Sequence, residues 1–222
     1  MKNFYNRLFF LFLFIVTFFS GCSSSVPEVN HAIASVVFEY EDYDSFPQKR
    51  LALIIDSQSD IHRAQRLSVI CLDNNYMWTS DNLVKFQNNK KTYAGYTNFV
   101  MPENKNVPQG NYKIIYENAD NQNVEVEIKI KYDENISSYK AEKCENSFKD
   151  KASKLKIGIY DRENKLLYFG DKKNELSSKE NILKSYRTAS YYRNVWSTQN
   201  DGILCIMPKE YISEETNASE NN

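Results

Sequence analysis

Histidine and glycine are scarce in this chain, and their scarcity removes whole classes of chemistry. Among 222 residues there are two histidines, six glycines, five prolines and four cysteines. Neither His31 nor His62 is followed by a second His, or a Cys, two to five positions on. That is the spacing at which one turn or helix presents metal ligands together, so no metal site is expected. A calcium loop opening at Asp56 fails at its second ligand position, where Gln58 stands, and no Asp-x-Asp-x-Asp-Gly run occurs elsewhere. The few glycines form no phosphate-cradling loop. No Gly-x-Ser-x-Gly elbow or Ser-x-x-Lys with its supporting motifs is present, and no cofactor is expected. A Cys–His pair joining His62 to Cys71 or Cys205 conflicts with the apolar runs around both cysteines, because a reactive thiolate needs a polar, partly open site. Carboxylate pairs for sugar hydrolysis are defined by separation in space and leave no trace in sequence.

Excess charge is also absent. The 28 basic and 29 acidic residues are interspersed, with no basic stripe. Nucleic-acid binding is therefore disfavoured, as is strong attraction to anionic lipid. Beyond Cys22, three cysteines remain at 71, 144 and 205, an odd number with no metal-ligand spacing. Cys71 and Cys205 sit in strand-like runs and Cys144 in a charged stretch, so a single bridge, if formed, is expected between Cys71 and Cys205. The other reading is three small buried or idle thiols.

What the chain does have begins at its N-terminus. Lys2 and Arg7 precede an apolar run from Leu8 to Phe19, broken only by Thr17 and followed by the small residues Ser20 and Gly21. This is the three-part layout of an export signal. As a helix, those 12 residues cover about 18 Å, whereas a bilayer-spanning helix needs about 20 residues. The alternative is an uncleaved anchor that includes Phe4 and Tyr5. Phe19-Ser20-Gly21-Cys22 resembles the lipobox of bacterial lipoproteins, with Phe19 standing where Leu is usual. The resemblance covers residues 1–22 only. It implies cleavage before Cys22, with 1–21 as the signal peptide and Cys22 as the lipidation site. It further implies a cell-envelope protein anchored to a membrane, with Ser23 arguing for the outer one. Two or more acyl chains on one residue give stable attachment, each buried methylene contributing about 0.8 kcal/mol. Residues 22–30 have a tether's composition, and the acidic, polar 213–222 reads as a disordered tail.

The body, residues 31–212, is expected to be one β-rich domain, with a possible subdivision near 133–153. Period-2 alternation dominates. Val124, Val126, Ile128, Ile130 and Tyr132 alternate with Glu125, Glu127, Lys129 and Lys131, and Tyr112, Ile114 and Tyr116 alternate before a polar loop at 118–123. Further strands are predicted over 32–41, 51–56, 66–73, 155–160, 166–169 and 202–207. Short strands separated by polar turns predict a mainly β fold, an antiparallel sandwich or a barrel-like body, with one or two short helices. The Pro108-Gln109-Gly110-Asn111-Tyr112 turn and its hairpin, within 108–132, are similar to the late strands of immunoglobulin-like modules of bacterial surface proteins. Ser177-Ser178-Lys179-Glu180 fits a helix capping box led by Ser177, with Leu183 and Tyr186 on the buried face. The charged 133–153 reads as a linker or short helix at a crossover.

Tyrosine is the abundant residue, with 16 in the chain. Tyr191, Tyr192 and Trp196 lie among arginines, and such rings either pack a sheet or form a binding surface. Tyr76, Trp78, Tyr93 and Tyr96 form a second group. The chain is expected to be a non-enzymatic envelope lipoprotein contacting another envelope protein or a glycan, with Tyr191, Tyr192 and Trp196 as the candidate surface. The alternative is an envelope hydrolase whose site is assembled from distant loops.

Overall fold

A computed structural model describes residues 26–88, 90–149 and 153–212. The expected signal at 1–21, the expected lipidation site Cys22 and the tail expected at 213–222 lie outside the described residues. The fold is mainly β, in two curled sheets with two short helices.

Alternation builds the smaller sheet. In β8 (Asn123–Ile130) the acids and lysines are exposed and the Val and Ile residues turn inward. Its partner is β7 (Gly110–Asn118), in a register that sets Tyr112 opposite Ile128, Ile114 opposite Val126 and Tyr116 opposite Val124. Every apolar residue thus faces one side. The connecting turn is fixed by the Asn118 side chain, which accepts from the Asp120 and Gln122 amides. At the other end Gly110 takes φ 139°, a conformation open to glycine, and a Cβ there would strike the Asp73 carboxylate. The Tyr112 hydroxyl donates to the Pro108 carbonyl at 2.6 Å, a bond of the tyrosine-corner kind that braces sandwich folds. With β3 (Ala64–Cys71) and β4 (Met77–Ser80) the order is β4-β3-β7-β8, antiparallel throughout.

The larger sheet is made of β1 (Val29–Glu39), β2 (Gln48–Ser57), β5 (Val84–Asn88), β6 (Lys91–Val100), β9 (Ser153–Tyr160), β10 (Leu166–Asp171), β11 (Tyr191–Thr198) and β12 (Ile203–Ile206). Their order is β10-β9-β11-β12-β1-β2-β6-β5, and a two-residue strand, β13 (Glu210–Tyr211), adds to β11. Among the described residues only the β1–β12 pair is parallel. Phe38 lies opposite Cys205, which lies opposite Trp196, so these share one face. On that face the small sheet packs. Phe38, Leu51, Leu53, Ile55, Leu67 and Ile114 have no exposed surface in the resulting core.

The 133–153 stretch holds a 3-10 turn, Glu134–Ser138, and helix α1, Ala141–Lys149. Ala141, Cys144 and Phe148 stand at i, i+3 and i+7, one helical face, and all three are buried in the main core. A second helix, α2 (Lys179–Ser185), covers the same face farther along the large sheet, over Ile157, Ile159 and Tyr192. Its cap is Ser178, not Ser177. The Ser178 hydroxyl accepts from the Asn181 amide. The one-residue shift turns the helix by roughly 100°, so Ile182 is buried and Leu183 is exposed.

Candidate functional site

One end of the large sheet opens into a cleft of about 710 Å3, walled by the β5–β6 hairpin and the turn at Ile61–Arg63. Pairing register builds it. His31 of β1 lies opposite Asp56 of β2, Asp56 opposite Tyr93 of β6, and Tyr93 opposite Phe86 of β5. A single cross-strand row therefore runs from a histidine through a carboxylate to a pair of rings. Phe86 and Tyr93 stack with centroids 5.0 Å apart and planes at 16°. Phe86 keeps 42% of its surface exposed.

Asp56 forms the floor, its side chain only 1% exposed. A buried carboxylate persists only when its oxygens are paired, and Asp56 has three partners. Asn30 Nδ2 donates at 3.1 Å, Lys91 Nζ stands at 3.2 Å and His31 Nδ1 at 3.3 Å. Burial would raise its pKa. The bonds from Asn30 and Lys91, with the positive charges of Lys91 and His31, outweigh burial and hold the carboxyl below the ordinary aspartate range.

Around this floor the lining is rich in cations, with Lys85, Lys90 and Lys91 set against Asp56 and Asp60. Lys85 Nζ donates to the His62 carbonyl at 3.1 Å. Asp60 is occupied in capping the turn, accepting from the His62 amide at 3.0 Å. Among the described residues neither Lys85 nor Lys90 pairs with a carboxylate. The cleft thus offers two ammonium groups, side-chain amides from Asn30 and Gln58, and a ring wall. No group of three His, Cys, Asp or Glu residues suited to a metal occurs among the described residues.

A second cleft, about 430 Å3, is lined by Glu39, Glu41, Gln48, Arg193, Lys209 and Tyr211. Its charges are spent internally. Glu39 pairs with Arg50 and Arg193, and Arg193 also donates to the carbonyls of Met207 at 2.7 Å and Tyr40 at 2.6 Å. Burial opposes ionisation of Glu39, but the two arginines prevail and its pKa is lowered. This network clips β1, β2 and β11 together.

The expected aromatic surface is not one. Tyr191 and Tyr192 are 6% and 9% exposed, because their segment is β11, an interior strand of the large sheet. Tyr191 stacks on Tyr160 and bonds Asn164, and Tyr192 donates to Glu210. Trp196 packs against the main core. In the second aromatic group, Trp78 is buried and donates to the Val100 carbonyl at 2.8 Å, and Tyr93 stacks on the cleft-lining Phe86. Cys71 and Cys205 are not bridged. They occupy different sheets, Cys71 in β3 and Cys205 in β12. Reading the sequence by motif weighed His31 and Asp56 only as metal ligands and passed over the three lysines. One signal was present: Asp56 ends the apolar run Leu51 to Ile55, where an acid must be paired to be kept.

No protein family matches the chain, and no curated protein is similar to it.

Proposed function

We propose that the protein is a lipid-anchored envelope lipoprotein whose β body binds an acidic glycan in the Asp56 cleft without transforming it. The observation that carries this reading is the meeting in one cleft of Lys85 and Lys90, two ammonium groups that no carboxylate pairs among the described residues, with the exposed ring of Phe86. Sugar rings stack on aromatic faces through their C–H bonds, while carboxylate or sulfate substituents take charge-assisted bonds from lysine. The Asp56–Lys91–Asn30 set ties β1, β2 and β6 together beneath that lining.

Titration calorimetry with oligouronates, and with neutral oligosaccharides of the same length, tests it. The acidic ligand is expected to bind and the neutral one to bind at least tenfold more weakly. Lys85→Ala with Lys90→Ala should remove most of the affinity and its salt dependence. Equal binding of both ligands, or variants as tight as the parent, would discard the glycan reading. The hydrolase alternative has one supporting observation, the carboxylate–histidine contact of Asp56 and His31. Shortened oligouronate after incubation with the protein would put that reading first.

A further inference from the structure

We propose that β8 is a dimerisation edge, on which a second copy of this chain lays its own β8 antiparallel about a two-fold axis through Ile128. The strand ends the small sheet and, among the described residues, pairs with β7 alone. Its backbone can take a further strand. The Asn118 amide donates to the Gln122 carbonyl at 2.9 Å, so 118 and 122 form a hydrogen-bonded pair. Such pairs alternate along an antiparallel ladder, which gives Val124, Val126, Ile128 and Ile130 the bonds to β7. Glu125, Glu127 and Lys129 therefore direct their amides and carbonyls to the open side. Among the described residues, no hydrogen bond reaches them there. Their side chains, with that of Lys131, are exposed on the outer face, while Val124, Val126 and Ile128 stay half-buried on the inner one.

Charge order selects both the partner and the register. An edge guarded against pairing carries lysines or charge of one sign, which repel a second copy. Here the outer face reads Glu125, Glu127, Lys129, Lys131, an order complementary to itself when reversed. With Ile128 opposite its own copy, Glu127 faces Lys129 and Glu125 faces Lys131, each contact made twice by symmetry. Moving the axis by one residue would set Glu127 or Lys129 against itself. Glu125 already pairs with Lys113 at 3.2 Å, whereas Glu127, Lys129 and Lys131 have no ion pair among the described residues. The apolar side is complementary as well. A groove of about 260 Å3 runs beside the strand, lined in part by Ala32, Ala34, Ile128, Ile130 and Gly202. In this register Val126 of the second copy lies opposite Ile130, so its Val126 and Ile128 enter at the groove. The inner faces join, and two four-stranded sheets become one continuous sheet. No residue lining the Asp56 cleft belongs to β8, so the dimer stands apart from the ligand reading.

Two differently tagged copies of the full chain are expressed together and extracted in detergent, and one tag is purified. The parent copies are expected to co-purify. Lys129→Glu with Lys131→Glu makes the outer face of β8 wholly acidic, and Glu125→Lys with Glu127→Lys makes it wholly basic. Each variant should recover its own kind at least tenfold less than the parent does, while the acidic and basic variants recover each other at the parent's level. That mutual recovery also shows that both variants fold. Ile128→Cys, the position opposite itself, should form an intermolecular disulfide under mild oxidation. Val124→Cys and the parent should not, the body's own cysteines at 71, 144 and 205 being buried. Parent copies that do not co-purify overturn the proposal. So does a like-charged variant that self-associates as the parent does, an acidic and basic mixture that stays apart, or a link at Val124 in place of Ile128.

Discussion

Asp56 shows what a single residue does in this fold. Its carboxylate is the floor of the cleft and also a buried charge whose partners come from β1 and β6. An unfolded aspartate titrates near ~3.9, and the folded one lies lower. Its contribution to stability is thus complete above about pH 4 and is lost as the pH falls through the folded value. Glu39, lowered by Arg50 and Arg193, acts with the same sign. Asp56→Asn keeps the shape and removes the charge, and is expected to cost about 2 kcal/mol at pH 7. The gap between the melting temperatures of parent and variant should narrow as the pH is lowered below about 4. A gap that stays constant with pH would mean that Asp56 acts through shape alone. At this scale the sequence was largely silent. The acid at the end of an apolar run was visible, but His31 and Lys91 are 25 and 35 positions from Asp56, and only strand register joins them.

Elements were legible wherever one face met water. The strands β7 and β8 show their alternation openly, and β1, β2 and β3 were found with ends displaced by a few residues. Those missed have other constraints. β5 is exposed at every position, and its two alternating apolar residues, Val84 and Phe86, make too short a pattern to reveal it. β6 carries Gly95, where a Cβ would overlap the Leu53 carbonyl oxygen, and a register shift that breaks its alternation. β11 holds Arg193 and Asn194 in an interior strand because Glu39 and Glu210 receive them. That burial reverses the expectation for its rings. Tyr192→Ala should destabilise the protein by about 3 kcal/mol, as large-to-small core changes do, and leave ligand affinity of the folded protein unchanged. Phe86→Ala should do the opposite, with stability within about 0.5 kcal/mol of the parent and ligand affinity reduced at least fivefold. Denaturant unfolding and calorimetry on the two variants separate the cases. Loss of binding in folded Tyr192→Ala would return the site to β11.

At the scale of the whole molecule, the class of fold followed from the density of short strands, while the topology did not. The parallel β1–β12 pair joins the first strand to one of the last, a contact that no local pattern encodes. It fixes where the chain enters. The Glu28 amide donates to Ser59 and its carbonyl accepts from Ser57 and Gln58, so the chain is already bound to the body three residues before β1 registers His31 against Asp56 at Asn30's side of the cleft. From Cys22 to Val26 the chain can span at most about 14 Å. Lipid on Cys22 would accordingly hold the cleft close to the membrane, and the ligand would be one that reaches that depth. Cys22→Ser is expected to move the protein from the membrane to the soluble fraction and to leave oligouronate affinity in solution unchanged. Inserting a flexible segment of about 20 residues after Ser25 extends the root-mean-square reach by roughly 25 Å. If the native ligand lies at the membrane surface, cells carrying the insertion should retain less of it on the protein than parent cells, measured by crosslinking in intact envelopes. Protease added to intact cells, with a periplasmic protein as control, decides the side. Cleavage of the body with the control intact places the cleft outside, facing host or environmental glycans. Protection until the envelope is opened places it inside, facing the glycans of the cell wall.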